Sequence, residues 1–203
     1  GGGQLSEAGV PVVYGLQTAE KTFASFKLTA RNPGGHSSQP RRDNAIYDVA
    51  TALGRVRAYA FPVMWNDTTI AAFRAAGRVT KGAIGKAMQR FAAHPGDKRA
   101  ARALSADPFH VGQVRTTCVP TLLQGGHADN ALPQSATVTI NCRIFPGVAI
   151  EKVQAKLQRL VGSKIEIAPL ADNYTASDAS PLRQDVVAAV TEAVHANYPG
   201  VPI

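Results

Sequence analysis

Two segments of this 203-residue chain alternate strictly between apolar and polar side chains, and this pattern constrains the possible folds more than any other feature. In residues 22–30, Phe26 and Leu28 face one side, while Lys27 and hydroxyl-bearing neighbours face the other. Residues 136–144 alternate in the same way, with one side formed by Val138, Ile140, Cys142 and Ile144. A period of two residues buries one face of a strand and leaves the other in solvent. Both segments therefore predict strands of an antiparallel sheet that is covered on one face.

Apolar residues at helical spacing predict two helices that can cover this sheet, over about 43–59 and over 150–161. Asp43 is expected to cap the first helix, because a short acidic side chain can accept hydrogen bonds from the first turn. Gly162 is expected to end the second helix.

Two further strands are predicted, over 114–123 and 164–170. Pro120 interrupts the first of them, and proline has no N–H to donate to a neighbouring strand. The strand at 114–123 is therefore expected to lie at an edge of the sheet or to contain a bulge.

The order of these elements predicts the fold class. Apart from one interruption, residues 21–171 follow the order strand, helix, strand, strand, helix, strand. This is the ferredoxin-like βαββαβ arrangement, an α+β fold with a four-stranded antiparallel sheet and two helices on one face. Residues 60–112 interrupt the first crossover and are predicted to be an insertion of short helices, broken by a turn at 94–97.

Two flanking elements have no place in that arrangement. One is a strand predicted over 10–16, and the other is a helix predicted to start at Ser180 and Pro181, where a capping hydroxyl precedes proline. We therefore interpret residues 1–20 and 172–203 as segments of a larger host domain into which the rest is inserted. Such segments are expected to lie close together.

The formal charge of +8 is concentrated in residues 65–112. A basic stretch can bind nucleic acid, so a nucleic-acid binder acting through this insertion is one alternative function. Aromatic side chains that could stack on bases are sparse there, which favours a solvated helix face and no nucleic-acid partner. No apolar run approaches the roughly 20 residues that span a bilayer, so no membrane partner is expected.

The two cysteines of the chain, Cys118 and Cys142, both fall in strands predicted to form one hairpin. A disulfide between them is conceivable. Two buried free thiols are the favoured interpretation, because free cysteine is among the most buried residue types.

Two short motifs resemble those of the M20 metallopeptidase and aminoacylase family. The first is Gly-Gly-His-Ser-Ser-Gln-Pro at 34–40, and the second is Gly-His-Ala-Asp-Asn-Ala-Leu-Pro at 126–133, followed by Asn-Cys-Arg-Ile-Phe-Pro-Gly at 141–147. The resemblance implies that residues 21–171 are the lid, or dimerisation domain, which in this family is inserted into a zinc-binding catalytic domain.

The resemblance also implies roles for three residues. His36 would reach across the dimer into the partner's active site and donate a hydrogen bond to the scissile carbonyl oxygen as charge develops there. Asn130 would hold the substrate's amide or carboxylate. Arg143, on the strand face opposite Ile140 and Ile144, would grip the substrate's terminal carboxylate with its guanidinium.

A metal site is not expected in this chain. Its five histidines form no His-x-x-x-His pair, whereas a two-zinc hydrolase needs several histidines and carboxylates that converge. The resemblance places zinc, as two ions, and a catalytic glutamate in the remainder of the parent enzyme. The chain by itself is expected to hydrolyse nothing.

As partners, the resemblance implies a second copy of the chain and a peptide or N-acyl amino acid substrate. The homodimer is expected to form through the sheet edge at 114–123 and the helix at 43–58. A free-standing ferredoxin-like module that binds a small regulatory ligand is the other alternative function. The sequence leaves open whether the protein acts in a bacterial cytoplasm or periplasm.

Overall fold

The computed structural model describes residues 2–203, so Gly1, part of the predicted 1–20 segment, lies outside the described residues. The strands are β1 (Gly2–Leu5), β2 (Pro11–Gly15), β3 (Thr22–Arg31), β4 (Gly35–His36), β5 (Thr117–Gly125), β6 (Ala131–Leu132), β7 (Ser135–Ile144) and β8 (Ile165–Pro169). The helices are α1 (Ala45–Ala58), α2 (Asp67–Val79), α3 (Gly82–Ala93), α4 (Lys98–Ala106), α5 (Val111–Val114), α6 (Ile150–Val161) and α7 (Gln184–Asn197).

The chain forms two compact units. The sheet unit consists of Lys21–Pro62 and Thr116–Ser177. The helical unit consists of Val63–Arg115, Asp178–Ile203 and the N-terminal segment that ends at Glu20.

The sheet unit has the predicted ferredoxin-like fold. Its four strands are antiparallel and lie in the order β5-β7-β3-β8, with β5 and β8 at the edges. Helices α1 and α6 pack against each other and cover one face of the sheet. This strand order is the one that the βαββαβ connectivity produces, so the predicted fold class is confirmed.

The core of the sheet unit follows the alternation seen in the sequence. Phe26, Leu28 and Ile140 are fully buried, and they pack with Val49 of α1 and Leu157 of α6 in one apolar cluster. Burying each such side chain stabilises the fold by roughly 1.5–3 kcal/mol. The odd-numbered residues of both strands face away from the helices.

Helix α1 begins one residue later than predicted, with Asn44 rather than Asp43 as its cap. The Asn44 side-chain oxygen accepts a hydrogen bond from the Ile46 N–H at 2.8 Å. Asp43 is instead paired with Arg41 at 2.8 Å and accepts a hydrogen bond from the Asn32 amide. The hydrogen bond from Arg41 is the main cause that lowers the pKa of the Asp43 carboxyl to about 2.

Strand β5 occupies an edge and also contains a bulge, as Pro120 predicted. Its register against β7 shifts between Pro120 and Leu122. The strand begins at Thr117 rather than at 114, because Val114 ends helix α5 and is fully buried in the core of the helical unit.

The expectation of two free thiols was wrong, because Cys118 and Cys142 form a disulfide. The two residues are direct partners in the β5–β7 ladder, and their Cα atoms are 4.1 Å apart. Facing positions of an antiparallel pair bring side chains on the same face into contact. The bond therefore ties the edge strand to its neighbour beneath the covering helices.

The helical unit contains the predicted short helices and a separate core. Phe73, Phe91 and Leu104 are buried in that core, and the two phenylalanine rings meet edge to face at 5.6 Å. Helices α3 and α4 are separated at residues 94–97, where the sequence predicted a break.

The tail segments also belong to the helical unit. Strand β2 pairs with β1, and the Tyr14 N–H donates to the Pro202 carbonyl oxygen at 2.8 Å. The two tails therefore lie together, as predicted. Helix α7 starts at Gln184 and not at Ser180, whose N–H donates instead to the Thr18 carbonyl oxygen at 2.8 Å.

The disulfide yields a prediction about stability. Replacing Cys118 and Cys142 with alanine is expected to lower the free energy of unfolding by about 3 kcal/mol, because the bond closes a loop of sequence separation 24. Urea unfolding of the oxidised chain, the reduced chain and the double variant measures this. The reductant should leave the double variant unchanged, and equal midpoints for the oxidised and reduced chain would contradict the prediction.

Candidate functional site

The two sequence motifs meet in the sheet unit, although they are far apart in the sequence. Strand β4 pairs antiparallel with β6, so that His36 faces Ala131 and Gly35 faces Leu132. The Ser37 N–H donates to the Asn130 carbonyl oxygen at 2.9 Å. The fold thus places His36 on β4 next to the turn that contains Asn130, so that two of the three predicted site residues lie in adjacent segments.

The glycines before His36 are required by the backbone. Gly34 has a φ of 78°, in the region that favours glycine, and a Cβ built there would lie 2.7 Å from the Gln134 side chain. Gly35 has a φ of 147°, and its added Cβ would lie 3.3 Å from the Leu132 side chain. Glycine at both positions lets the first motif approach the second closely.

The hydrogen bonds of His36 fix which ring nitrogen can donate outward. The imidazole ring of His36 is exposed, and its Nδ1 accepts a hydrogen bond from the Ser38 backbone N–H at 3.2 Å. The Ser38 hydroxyl oxygen lies 2.9 Å from the same nitrogen. An N–H can only donate, so Nδ1 is the acceptor and the neutral imidazole carries its proton on Nε2. Nε2–H is therefore the group through which the neutral ring can donate a further hydrogen bond.

Asn130 occupies an exposed turn just before β6. Within the described part of the chain, no hydrogen bond engages its side-chain amide; its backbone carbonyl alone is bonded, to Ser37. The residue is therefore positioned by its backbone, and its amide is exposed on the surface.

Arg143 is exposed on the face of β7 that the helices leave open, as the parity of the strand predicted. Its guanidinium carbon lies 5.0 Å from the ring centroid of Phe23, its direct partner on β3. Phe23 in turn contacts Tyr174 edge to face at 5.8 Å. Stacking on an aromatic face fixes the plane of a guanidinium and favours the cation, so Phe23 is a platform for Arg143.

Lys21 is a second cation at this end of the sheet. The half-buried position of its ammonium, and secondarily the charge of Arg143, lower the pKa of Lys21 to about 8. Neither Lys21 nor Phe23 was predicted as a site residue from the sequence. Phe23 carried a usable signal, since it is an aromatic residue on the polar side of the β3 alternation.

The predicted site residues are divided between the two ends of the sheet. Phe23 pairs with Arg143 at one end of the β3–β7 ladder, and Arg31 pairs with Ser135 at the other, next to the His36 and Asn130 loops. At roughly 3.3 Å per residue, the eight steps between these pairs span about 26 Å. One copy of the chain therefore does not bring Arg143 to His36 and Asn130.

Residues 2–203 contain neither a cluster of metal-ligating side chains nor a helix that could cross a membrane. These residues bring together no group of three or more His, Cys, Asp or Glu side chains that could hold a metal ion. Among the same residues, no helix combines the length and the apolar character needed to cross a membrane.

A family model described as the peptidase dimerisation domain of M20 peptidases matches residues 18–168. The chain belongs to this family. The M20 dimerisation domain contains both motifs, the ferredoxin-like sheet and the helical insertion within its matched range.

Relatives of this M20 dimerisation domain are considerably longer proteins. A probable carboxypeptidase S-like 2 of Dictyostelium discoideum is 26% identical over 154 residues, which cover 75% of this chain and 29% of the relative. The human N-fatty-acyl-amino acid synthase/hydrolase PM20D1 is 22% identical over 148 residues, which cover 72% of this chain and 29% of the relative. The chain thus spans about three tenths of the length of these relatives.

Solved structures show the same fold. An M20 family metallo-carboxypeptidase from Sulfolobus solfataricus superposes with a TM-score of 0.61 at 15% identity, covering 97% of this chain and 47% of that one. Aminopeptidase PepT from Bacillus cereus superposes with a TM-score of 0.52 at 12% identity, covering 96% of this chain and 41% of that one.

The Lys21–Arg143 pair yields a prediction about pH. The Lys21 ammonium is expected to titrate near pH 8 in the folded M20 dimerisation domain, and Arg143→Gln is expected to raise the midpoint by removing one cause of the shift. Because burial remains, the midpoint should stay below the ordinary lysine value. NMR titration of the Lys21 side chain measures this, and a wild-type midpoint above 10 would contradict it.

The same shift predicts how stability depends on pH. The folded-state pKa of Lys21 lies below its unfolded value of 10.5, so the unfolded chain binds more protons between about pH 8 and 10. The contribution of Lys21 to the free energy of unfolding should therefore rise with pH across this window. Lys21→Met should remove that rise, whereas Lys27→Met, at an exposed site on strand β3, which follows Lys21, should retain it.

Proposed function

We propose that this domain is the dimerising lid of a zinc-dependent amide hydrolase, and that its substrate is a peptide or an N-acyl amino acid. The observation that carries the proposal is the separation of the site into a His36–Asn130 end and an Arg143 end. Family membership and the presence of carboxypeptidase and N-acyl-amino acid hydrolase names among the relatives support it.

The surface proposed for dimerisation is the β5 edge together with helix α1, corresponding to the predicted 114–123 and 43–58 segments. Apolar side chains that remain exposed there include Leu122, Leu123 and Ile46. A groove of about 280 Å³ runs between the helix and the strand, lined by Ile46, Val49, Leu53 and Leu123 among others. An edge strand with unpaired backbone groups beside an apolar groove is suited to a second copy of the same surface.

Two-fold symmetry then determines which ends of the two sheets meet. An isologous contact between two β5 strands pairs them antiparallel, so the His36 end of one copy lies beside the opposite end of its mate. That opposite end holds Arg143 of the partner subunit. A dimer of this kind therefore supports one composite site from two halves that are about 26 Å apart within a single copy.

Each residue of the composite site has a chemical role that its geometry favours. Nε2–H of His36 donates to the scissile carbonyl oxygen as it gains negative charge, and removing such a donor costs roughly a hundred- to a thousand-fold in rate. Asn130 offers an amide that can hold the substrate's amide or carboxylate. Arg143, held on Phe23, presents a planar fork to the terminal carboxylate.

The metal and the catalytic glutamate are assigned to the remainder of the parent enzyme. The described residues do not fit a zinc site, since they bring no three suitable ligands together. A zinc pair elsewhere in the protein would activate the attacking water. We accordingly expect the chain alone to hydrolyse no peptide and no N-acyl amino acid, with or without added zinc.

The proposed dimer surface yields a direct prediction. Leu123→Asp puts a charge into the groove beside α1 and is expected to raise the dissociation constant at least about tenfold, since a buried unpaired charge costs several kcal/mol. Ala168→Asp, exposed on the β8 edge, is the matched control and should leave the dimer intact.

Light scattering across a micromolar concentration series measures both variants against the wild type. A wild-type chain that is monomeric at these concentrations would contradict the proposed dimer. A dimer that Ala168→Asp disrupts, and Leu123→Asp leaves intact, would assign the contact to the other edge of the sheet.

A further inference from the structure

The helical unit contains a cavity that the proposed hydrolase function does not use. Its volume is about 360 Å³, and its lining residues all belong to the helical unit. This volume lies at the small end of the range of about 300–1,000 Å³ typical of small-molecule sites.

One wall of the cavity is cationic. Lys98, Ala101, Arg102 and Ser105 recur at the spacing of one helical stripe, and this stripe of α4 lines the cavity. The guanidinium of Arg115, also on the lining, donates to the Ser105 hydroxyl at 2.8 Å. Three cationic side chains thus line this small space, and an anion is the occupant that a lining of one charge sign favours.

No carboxylate is among the described residues that line the cavity. The nearest acid in sequence, Asp97, is already engaged: it accepts hydrogen bonds from the N–H groups of Arg99 and Ala100 and is paired with Arg90. These contacts, first of all the bond from the Ala100 N–H, lower the pKa of Asp97. Asp97 caps α4 and does not neutralise the cationic stripe.

The other walls are apolar. Trp65 lines the cavity with 48% of its surface exposed, and its ring is held edge-on by Phe91 at 6.2 Å. Val63 and Pro95 lie beside it, and Ala101 contributes a small side chain from the helix. An anion that fills this space needs an apolar body next to its charged group.

We propose that this cavity binds a small carboxylate with an apolar body, held by Lys98, Arg102 and Arg115 and covered by Trp65. The carboxylate accepts from the guanidinium groups, for which its two oxygens are suited. The hydrocarbon part occupies the space against Trp65, Val63 and Pro95. This site is separate from the residues assigned above to amide hydrolysis and requires no metal.

Trp65 is the single tryptophan of the chain, so its fluorescence reports on this cavity alone. Sodium octanoate added to the chain is expected to change that fluorescence saturably. The double variant Lys98→Met with Arg102→Gln should weaken octanoate binding at least about tenfold, because two of three cations are lost. Arg99→Gln removes one charge from the same helix outside the lining and should bind like the wild type.

Three further titrations test the ligand class. Octan-1-ol and octyltrimethylammonium carry the same apolar body without a carboxylate and should bind at least about tenfold more weakly. Inorganic phosphate should compete poorly, because it has no apolar body. Circular dichroism of each variant establishes that its helices are intact.

Several results would overturn the proposal. These are an unchanged Trp65 signal with octanoate, octan-1-ol binding as tightly as octanoate, and phosphate alone displacing octanoate at equal concentration. An Arg99→Gln variant that loses as much affinity as the double variant would show non-specific attraction to a basic surface. A short oligonucleotide that outcompetes octanoate would indicate a nucleic-acid surface instead.

Discussion

The antiparallel pairing of β3 with β7 is the interaction on which the rest of the sheet unit depends. Its ten-residue register puts alternate side chains of both strands under α1 and α6, and this burial forms the core. The chain leaves β3 and enters β7 at the same end of this ladder, where the segments containing His36 and Asn130 meet. The register also fixes Arg143 at the other end. A slip of one residue would turn the core side chains of the slipped strand to the open face and would shift the pairing that brings the two motifs together.

Most of this arrangement could be predicted from the sequence because it depends on periodicity. The alternation in β3 and β7, and the helical spacing in α6, predicted the elements, their order and the fold class. The errors were local. Asn44 caps helix α1, although the sequence predicted Asp43 in that role, because the Asp43 carboxylate is engaged by Arg41 and Asn32. Competition between nearby polar groups is decided by geometry that a linear pattern does not contain.

The cysteines and the site illustrate a second limit. Whether Cys118 faces Cys142 depends on the register of β5 against β7. The bulge after Pro120 shifts this register only for the residues that follow it, so the cysteine pair keeps the unshifted register. The Phe23 platform under Arg143 is likewise a cross-strand contact, visible only once the two strands are aligned. The family motifs identified residue types and proposed roles. The separation of those residues along the sheet became apparent only in three dimensions.

The central claim is that each active site of the parent enzyme combines His36 from one copy with Arg143 of the partner subunit. Mixing two inactive full-length variants, His36→Ala and Arg143→Gln, tests it directly. In a heterodimer one composite site is intact, so the mixture should regain roughly a quarter of wild-type activity under statistical exchange of subunits. If both residues served one site from the same copy, every site in the mixture would lack one of them. Continued inactivity, with subunit exchange demonstrated by mass spectrometry, would contradict the account.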